Sequence, residues 1–337
     1  MINSIYDQCK KFMKKDGKIF LIYIVLLCIL SIPLPYYINK PGGAIDIKEK
    51  VQLENAYEAK GGFYYGYVSE VRATLPLYLY TFINKDWELI KKEEMTYDEE
   101  SIADANLRSK ILMKETNSNA IIVSYQKAKK TVEIKKEEIY VTYIDPKADT
   151  DLKIGDQILE VDEKNINSRS ELFETVQSAL VGTEIKIKVK RGKKEVECFG
   201  KLQNVNGVSL IGIVISSVKE MKTDPSIQIV TSKNESGPSG GLMLSLTIYN
   251  MLTKKDLTKG YKIVGTGTME EDGSVGEIGG VSYKLKGAVK KKADIFLVPS
   301  GNNYEEAMKL KKERNYKIEI KAISTFDEAI EYLENLE

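Results

Sequence analysis

The sequence predicts an α+β fold carried behind an N-terminal transmembrane helix, and three observations lead to it. Residues 19–35 form a charge-free apolar run. Residues 184–190 and 317–323 alternate apolar with polar side chains, the period of strands that have one wet face. Residues 102–129, 242–249 and 326–333 are apolar or amphipathic runs of helical length. With 337 residues, 42% hydrophobic, 29% charged and a net charge of +1, the chain has the composition of a globular protein of more than one domain. Acids nearly equal bases, so nothing favours a nucleic-acid partner. Of Cys9, Cys28 and Cys198, only the last lies beyond the apolar run, which excludes an intramolecular disulfide there.

Taken in order, residues 1–18 read as a basic cytoplasmic tail and 19–37 as the anchor. Tyr36 and Tyr37 bring the apolar run to the roughly 20 residues a bilayer requires and fit an interfacial belt. A signal peptide is the competing reading, but no small-x-small cleavage site follows. Lys10, Lys11, Lys14, Lys15 and Lys18 precede the run, against Lys40, Lys48 and Lys50 after it, so the positive-inside bias places the N-terminus in the cytoplasm and everything after about residue 38 outside.

Residues 38–131 form a membrane-proximal region. It opens on a Pro41-Gly42-Gly43 turn and carries tyrosine-rich runs at 63–68 and 75–80, read as strand and core packing ahead of a helix-like stretch from 102 to 129. Residues 132–203 are a β-rich module. Ser168 and Glu171 form a capping-box pattern, Leu172, Val176 and Leu180 recur on one helical face, and the alternating strand at 184–190 ends at Arg191-Gly192. With Leu152-Lys153-Ile154-Gly155-Asp156-Gln157-Ile158 ahead of it, this order resembles a PDZ domain, which implies an extended peptide ligand bound as an added strand near residues 141–144. A rigid spacer without ligand is the alternative.

Residues 204–337 carry the chemistry. The chain has no histidine, which excludes Ser-His and Cys-His relays and His-ligated metal sites, whereas a serine paired with a lysine remains workable. Ser239 sits in Gly237-Pro238-Ser239-Gly240-Gly241 just ahead of an apolar helical run, where free backbone N–H groups stabilise an oxyanion. Lys284 follows the Gly279-Gly280 pair. To act as a base near neutral pH it must lose roughly 3 pH units from its usual value by burial. The bland alternative is a turn before a core helix and an ordinary surface lysine.

Four separated blocks weigh against the bland reading. Residues 230–241, Gly265-Thr266-Gly267-Thr268, residues 273–280 and Ala293-Asp294-Ile295-Phe296-Leu297-Val298-Pro299 are similar in order and spacing to the Lon protease proteolytic domain. The resemblance implies Ser239 as nucleophile, Lys284 as general base and Thr266 as the residue that helps hold the lysine, with Gly237 and Gly240 shaping the loop. Ser236 departs from the Asp or Gly common at that place in the family and is a weak rival nucleophile. No phosphate-binding loop or complete dinucleotide fingerprint occurs, so no ATPase motor, cofactor or metal is expected.

Anchor, PDZ-like module and Lon-type domain together resemble the membrane-anchored Lon-like proteases of Gram-positive bacteria, the SepM and YlbL type. That implies an ATP-independent serine endopeptidase acting outside the membrane on peptides, signalling peptides among them, or on exported and unfolded proteins. It also implies a homo-oligomer, with a hexameric ring as the expected form. The alternative function is a catalytically inactive, membrane-tethered PDZ scaffold.

Overall fold

The computed structural model describes residues 2–98 and 100–336, with the side chains of residues 2–9 and 11–14 outside that description; Cys9, Lys11 and Lys14 are among these. The chain begins with α1 (Ile2–Leu30), β1 (Pro33–Asp46), β2 (Val51–Leu53), β3 (Gly62–Thr74), α2 (Leu75–Thr81), β4 (Glu88–Lys91) and α3 (Ile102–Lys127). A β-rich stretch follows: β5 (Thr131–Ile144), β6 (Gln157–Val161), β7 (Lys164–Asn165), α4 (Arg169–Ser178), β8 (Glu184–Arg191), β9 (Lys194–Lys201), β10 (Gln203–Val205), β11 (Val208–Leu210), β12 (Ile213–Asp224) and β13 (Ile227–Ile229). It ends with α5 (Gly241–Leu252), β14 (Lys262–Gly265), α6 (Val281–Lys290), β15 (Ile295–Pro299), α7 (Asn302–Arg314), β16 (Glu319–Ile323) and α8 (Phe326–Glu334).

The expected transmembrane helix requires correction. The charge-free part of α1 covers only residues 19–30, about 18 Å at ~1.5 Å per residue, against ~30 Å of bilayer hydrocarbon. Residues 33–37, counted into the span on composition, leave the helix because Pro33 and Pro35 supply no N–H to continue it and open strand β1 instead. Among the described residues no helix is long and apolar enough to cross a membrane. The single-pass anchor, the cytoplasmic N-terminus and the extracytoplasmic placement deduced from it are withdrawn.

The chain divides into two compact units, residues 1–41 with 69–95, and residues 42–68 with 96–337. In the first, β4 pairs antiparallel with β1 from Tyr36↔Lys91 to Asn39↔Glu88. Residues 75–80, expected as strand, form α2 instead, since Thr74 is extended at its N-cap and Pro76 suits a first helical turn. Leu79 and Tyr80 are exposed on it rather than packed in a core.

In the second unit, β14 pairs in parallel with β3 on one side and β15 on the other, and β15 pairs in parallel with β16. A strand from the region before the PDZ-like module thus lies at the centre of the sheet that the C-terminal residues build. Against it packs α5, all twelve residues of which are buried. Leu242, Met243, Leu246 and Ile248 are wholly inaccessible and each contributes about 2 kcal/mol by burial. They share a core with Phe63, Ala120 and Tyr125 and with Phe326, Ile330 and Leu333 of α8.

A second core lies beneath the sheet ordered β12-β5-β6-β8-β9. The Ser168 hydroxyl caps α4 by accepting from Glu171 N, and Leu172 and Val176 are buried as their spacing predicts. Leu180 is not. The helix stops at Ser178, Ala179 is extended, and Leu180 is 80% exposed. Strand β5 runs between β12 and β6, pairing with β12 through Tyr143↔Val214 and Ile144↔Ile213, while Val141 N and O are engaged by Asp156 O and Gly155 N. Residues 141–144 therefore offer no open edge to an added peptide strand; the edges of this sheet are β12 and β9.

Candidate active site

The loop from Val230 to Gly240 joins β13 to α5 and carries Ser239 to the N-terminal end of the buried helix. Gly237 takes φ +93°, a region that favours glycine, and donates its N–H to Ser109 O of α3 at 3.0 Å. Gly240 is the N-cap residue, and a Cβ placed on it would meet the Tyr65 ring at 3.7 Å. Gly241 has no room for a side chain: a Cβ there would stand 2.5 Å from Thr116 Cγ2 and 2.7 Å from Met269 N. Glycine at 241 is thus a packing requirement where α3, α5 and the loop after β14 converge.

Ser239 is half-buried, and its carbonyl oxygen accepts from Gly267 N at 2.9 Å and from Thr266 Oγ1 at 3.0 Å. Thr266, at the end of β14, is fully buried, with its own N–H held by Leu297 O of β15 at 3.0 Å. Lys284 lies on α6, whose N-cap Gly280 adopts φ +72°. Its side chain points into the protein, the residue is 4% exposed, and Nζ donates to Thr266 Oγ1 at 3.1 Å. One threonine hydroxyl therefore receives the lysine and donates to the serine's carbonyl. Burial is the cause that lowers the Lys284 amine from 10.5 to about 7, because removal from water penalises its charged form.

The first N–H groups of the helix, expected to be free to hold an oxyanion, are already engaged. Gly241 N is taken by Pro238 O at 3.2 Å and Leu242 N by Gly267 O at 3.1 Å. The amides of Ser239 and Gly240 have no backbone acceptor among the described residues. Ser236 is exposed, whereas Ser239 belongs to the buried hydrogen-bond chain.

Two neighbours were not anticipated. Gly66 of β3 lies directly on Lys284, where a Cβ would come within 3.1 Å of Lys284 Cβ. Tyr65 faces Gly240, and its hydroxyl is pushed well above its usual range by burial and then by the Glu235 carboxylate to which it hydrogen-bonds. A glycine in the middle of the aromatic strand run was the available signal, since such a glycine marks close backbone approach.

Comparison with known proteins places this geometry in a family context. Residues 104–199 match the PDZ domain family, and residues 181–335 match the Lon protease C-terminal proteolytic domain. The overlap at 181–199 is structurally β8 and β9 of the PDZ-like sheet. The chain is 28% identical to Lon protease of Campylobacter jejuni over 43% of its own length and spans only 21% of that relative. Solved structures that it resembles include the PDZ domain of an SdrC-like protein from Listeria monocytogenes, with 28% identity, 25% of this chain and 92% of that one, and a TM-score of 0.23. The corresponding domain from Listeria innocua is 32% identical over 23% and 92%, with a TM-score of 0.22. The chain is thus similar to PDZ domains over residues 104–199, to the Lon C-terminal proteolytic domain over residues 181–335, and to Lon protease over part of its length.

Proposed function

We propose that the protein is a serine endopeptidase in which Ser239 is the nucleophile and Lys284 the general base. The observation that carries this reading is the buried chain from Lys284 Nζ through Thr266 Oγ1 to Ser239 O, with a lysine whose amine titrates at about 7. A neutral Lys284 takes the proton from the Ser239 hydroxyl as Oγ attacks the scissile carbonyl, and the amides of Ser239 and Gly240 stabilise the oxyanion. Lys284 then returns the proton to the leaving amine, and water releases the acyl group with Lys284 again as base. Thr266 orients the amine, and burial against Gly66 keeps it dry.

The substrates are flexible peptides or unfolded segments. These 337 residues contain no phosphate-binding loop, so cleavage draws on no nucleotide held by them. The PDZ domain supports recognition of an extended peptide. The Lon-type domain also supports assembly into a ring of identical copies, with six as the expected number.

The test is cleavage of a pool of unstructured peptides by the full chain without ATP, beside Ser239→Ala and Lys284→Ala. Cleavage that both variants abolish is the expected result. Cleavage that survives Ser239→Ala removes that residue from the nucleophile role, and a folded parent that cuts nothing favours a binding role for the PDZ domain alone.

A further inference from the structure

The loop that carries Ser239 is held at its far end by a largely buried ion pair that the mechanism above does not use. Lys50 Nζ donates to Glu235 Oε1, with side chains only 16% and 21% exposed. The same ammonium reaches Ser232 Oγ at 3.4 Å, and Glu235 Oε2 accepts from Ser232 N at 3.2 Å. Val230 N donates to Lys50 O at 2.8 Å, so backbone and side chain of Lys50 both grip the loop. Glu235 also receives the Tyr65 hydroxyl, and the Tyr65 ring stands beside Gly240.

These contacts matter because residues 231–234 are exposed and little else fixes them. A loop of that kind samples many conformations unless it is pinned. On its other side the loop is pinned by Gly237 N to Ser109 O, just ahead of the serine. Glu235 supplies the opposing hold, and the Tyr65 ring lies alongside the residue immediately after Ser239.

We infer that Glu235 is a positioning residue for the reaction: paired with Lys50 and bonded to Tyr65, it fixes the loop so that Ser239 meets Lys284 and the substrate carbonyl in reactive geometry. The inference rests on the reading of Ser239 as nucleophile. Its action falls on turnover rather than on substrate binding, since displacement of a reacting group by about 1 Å lowers rates on the order of 100-fold.

The experiment uses the full chain and one fluorogenic peptide selected from the unstructured pool as a substrate of the parent. It compares parent, Ser239→Ala, Glu235→Gln, Lys50→Met, Tyr65→Phe and the single and double charge reversals Lys50→Glu and Glu235→Lys, with Tm recorded for each. Glu235→Gln and Lys50→Met should lower kcat about 10- to 100-fold with KM within about threefold of the parent. Tyr65→Phe, which strands no charge, should lower kcat about fivefold on the same logic and carries the test if a charge variant fails to fold. The double reversal should recover about tenfold over either single reversal. Values of kcat within twofold of the parent for Glu235→Gln, Lys50→Met and Tyr65→Phe, or losses confined to KM, overturn the inference while leaving the serine reading intact. A parent whose cleavage does not depend on Ser239 overturns both.

Discussion

The ε-amine of Lys284 donates to the hydroxyl of Thr266 across 3.1 Å, and that hydroxyl in turn donates to Ser239 O. A Thr266→Val substitution keeps the volume and removes the relay. One hydrogen bond of this kind is worth about 1 kcal/mol, so kcat should fall about fivefold with KM little changed. The charged amine loses an acceptor as well, so the midpoint of the pH–rate profile should move to lower pH. Steady-state kinetics of this variant across pH checks both.

The parent's pH dependence follows from the same residue. Lys284 works as a base only when neutral, and its amine titrates at about 7. Below that value kcat/KM should fall about tenfold per pH unit, and above it the profile should level. A profile without an ascending limb between about pH 6 and 8 would contradict the assignment.

Stability should respond to Lys284 in the opposite sense from function. Its folded value of about 7 lies below its ordinary 10.5, so the unfolded chain binds the extra proton between those values and stability rises with pH across that window. At pH 7 and below, the native state carries most or all of a penalty of about 5 kcal/mol, at ~1.36 kcal/mol per pH unit. Lys284→Met should therefore abolish cleavage yet stabilise the fold near neutral pH, with the gain vanishing above pH 10.5. Urea unfolding at pH 7 and 10.5 measures the difference.

Gly241 offers a packing test independent of protonation. An added methyl would collide with Met269 N at 2.7 Å and Thr116 Cγ2 at 2.5 Å, and the backbone atom has little freedom to yield. Gly241→Ala should cost about 2 kcal/mol in denaturant unfolding.

The grouping of Ser239, Thr266 and Lys284 into one candidate site was legible because each sits in a short local pattern of glycines and small residues. The capping box at Ser168 and the alternation of β8 were legible for the same reason, since cap and pleat are decided by near neighbours. Tyr65, Gly66 and Lys50 were not, because only tertiary pairing brings β3 and the turn before β2 to the Ser239 loop. Leu180 was misjudged because the periodicity of a face continues past the point where the helix ends. The anchor was misjudged in a related way: hydropathy counted residues 33–37, but proline decided their conformation.

The placement of β3 between β1 and β14 also has a consequence for synthesis. Gly62 pairs with Lys262, so the strand that carries Tyr65 and Gly66 leaves the ribosome long before the neighbour that completes its hydrogen bonds. At ~5–20 residues per second that interval is roughly 10 to 40 s, during which Phe63 awaits the core that will bury it. The PDZ sheet, with a core of its own, has time to close first. A chain interrupted before residue 262 would thus present a folded PDZ-like module together with an unsatisfied apolar strand edge, a species prone to aggregation.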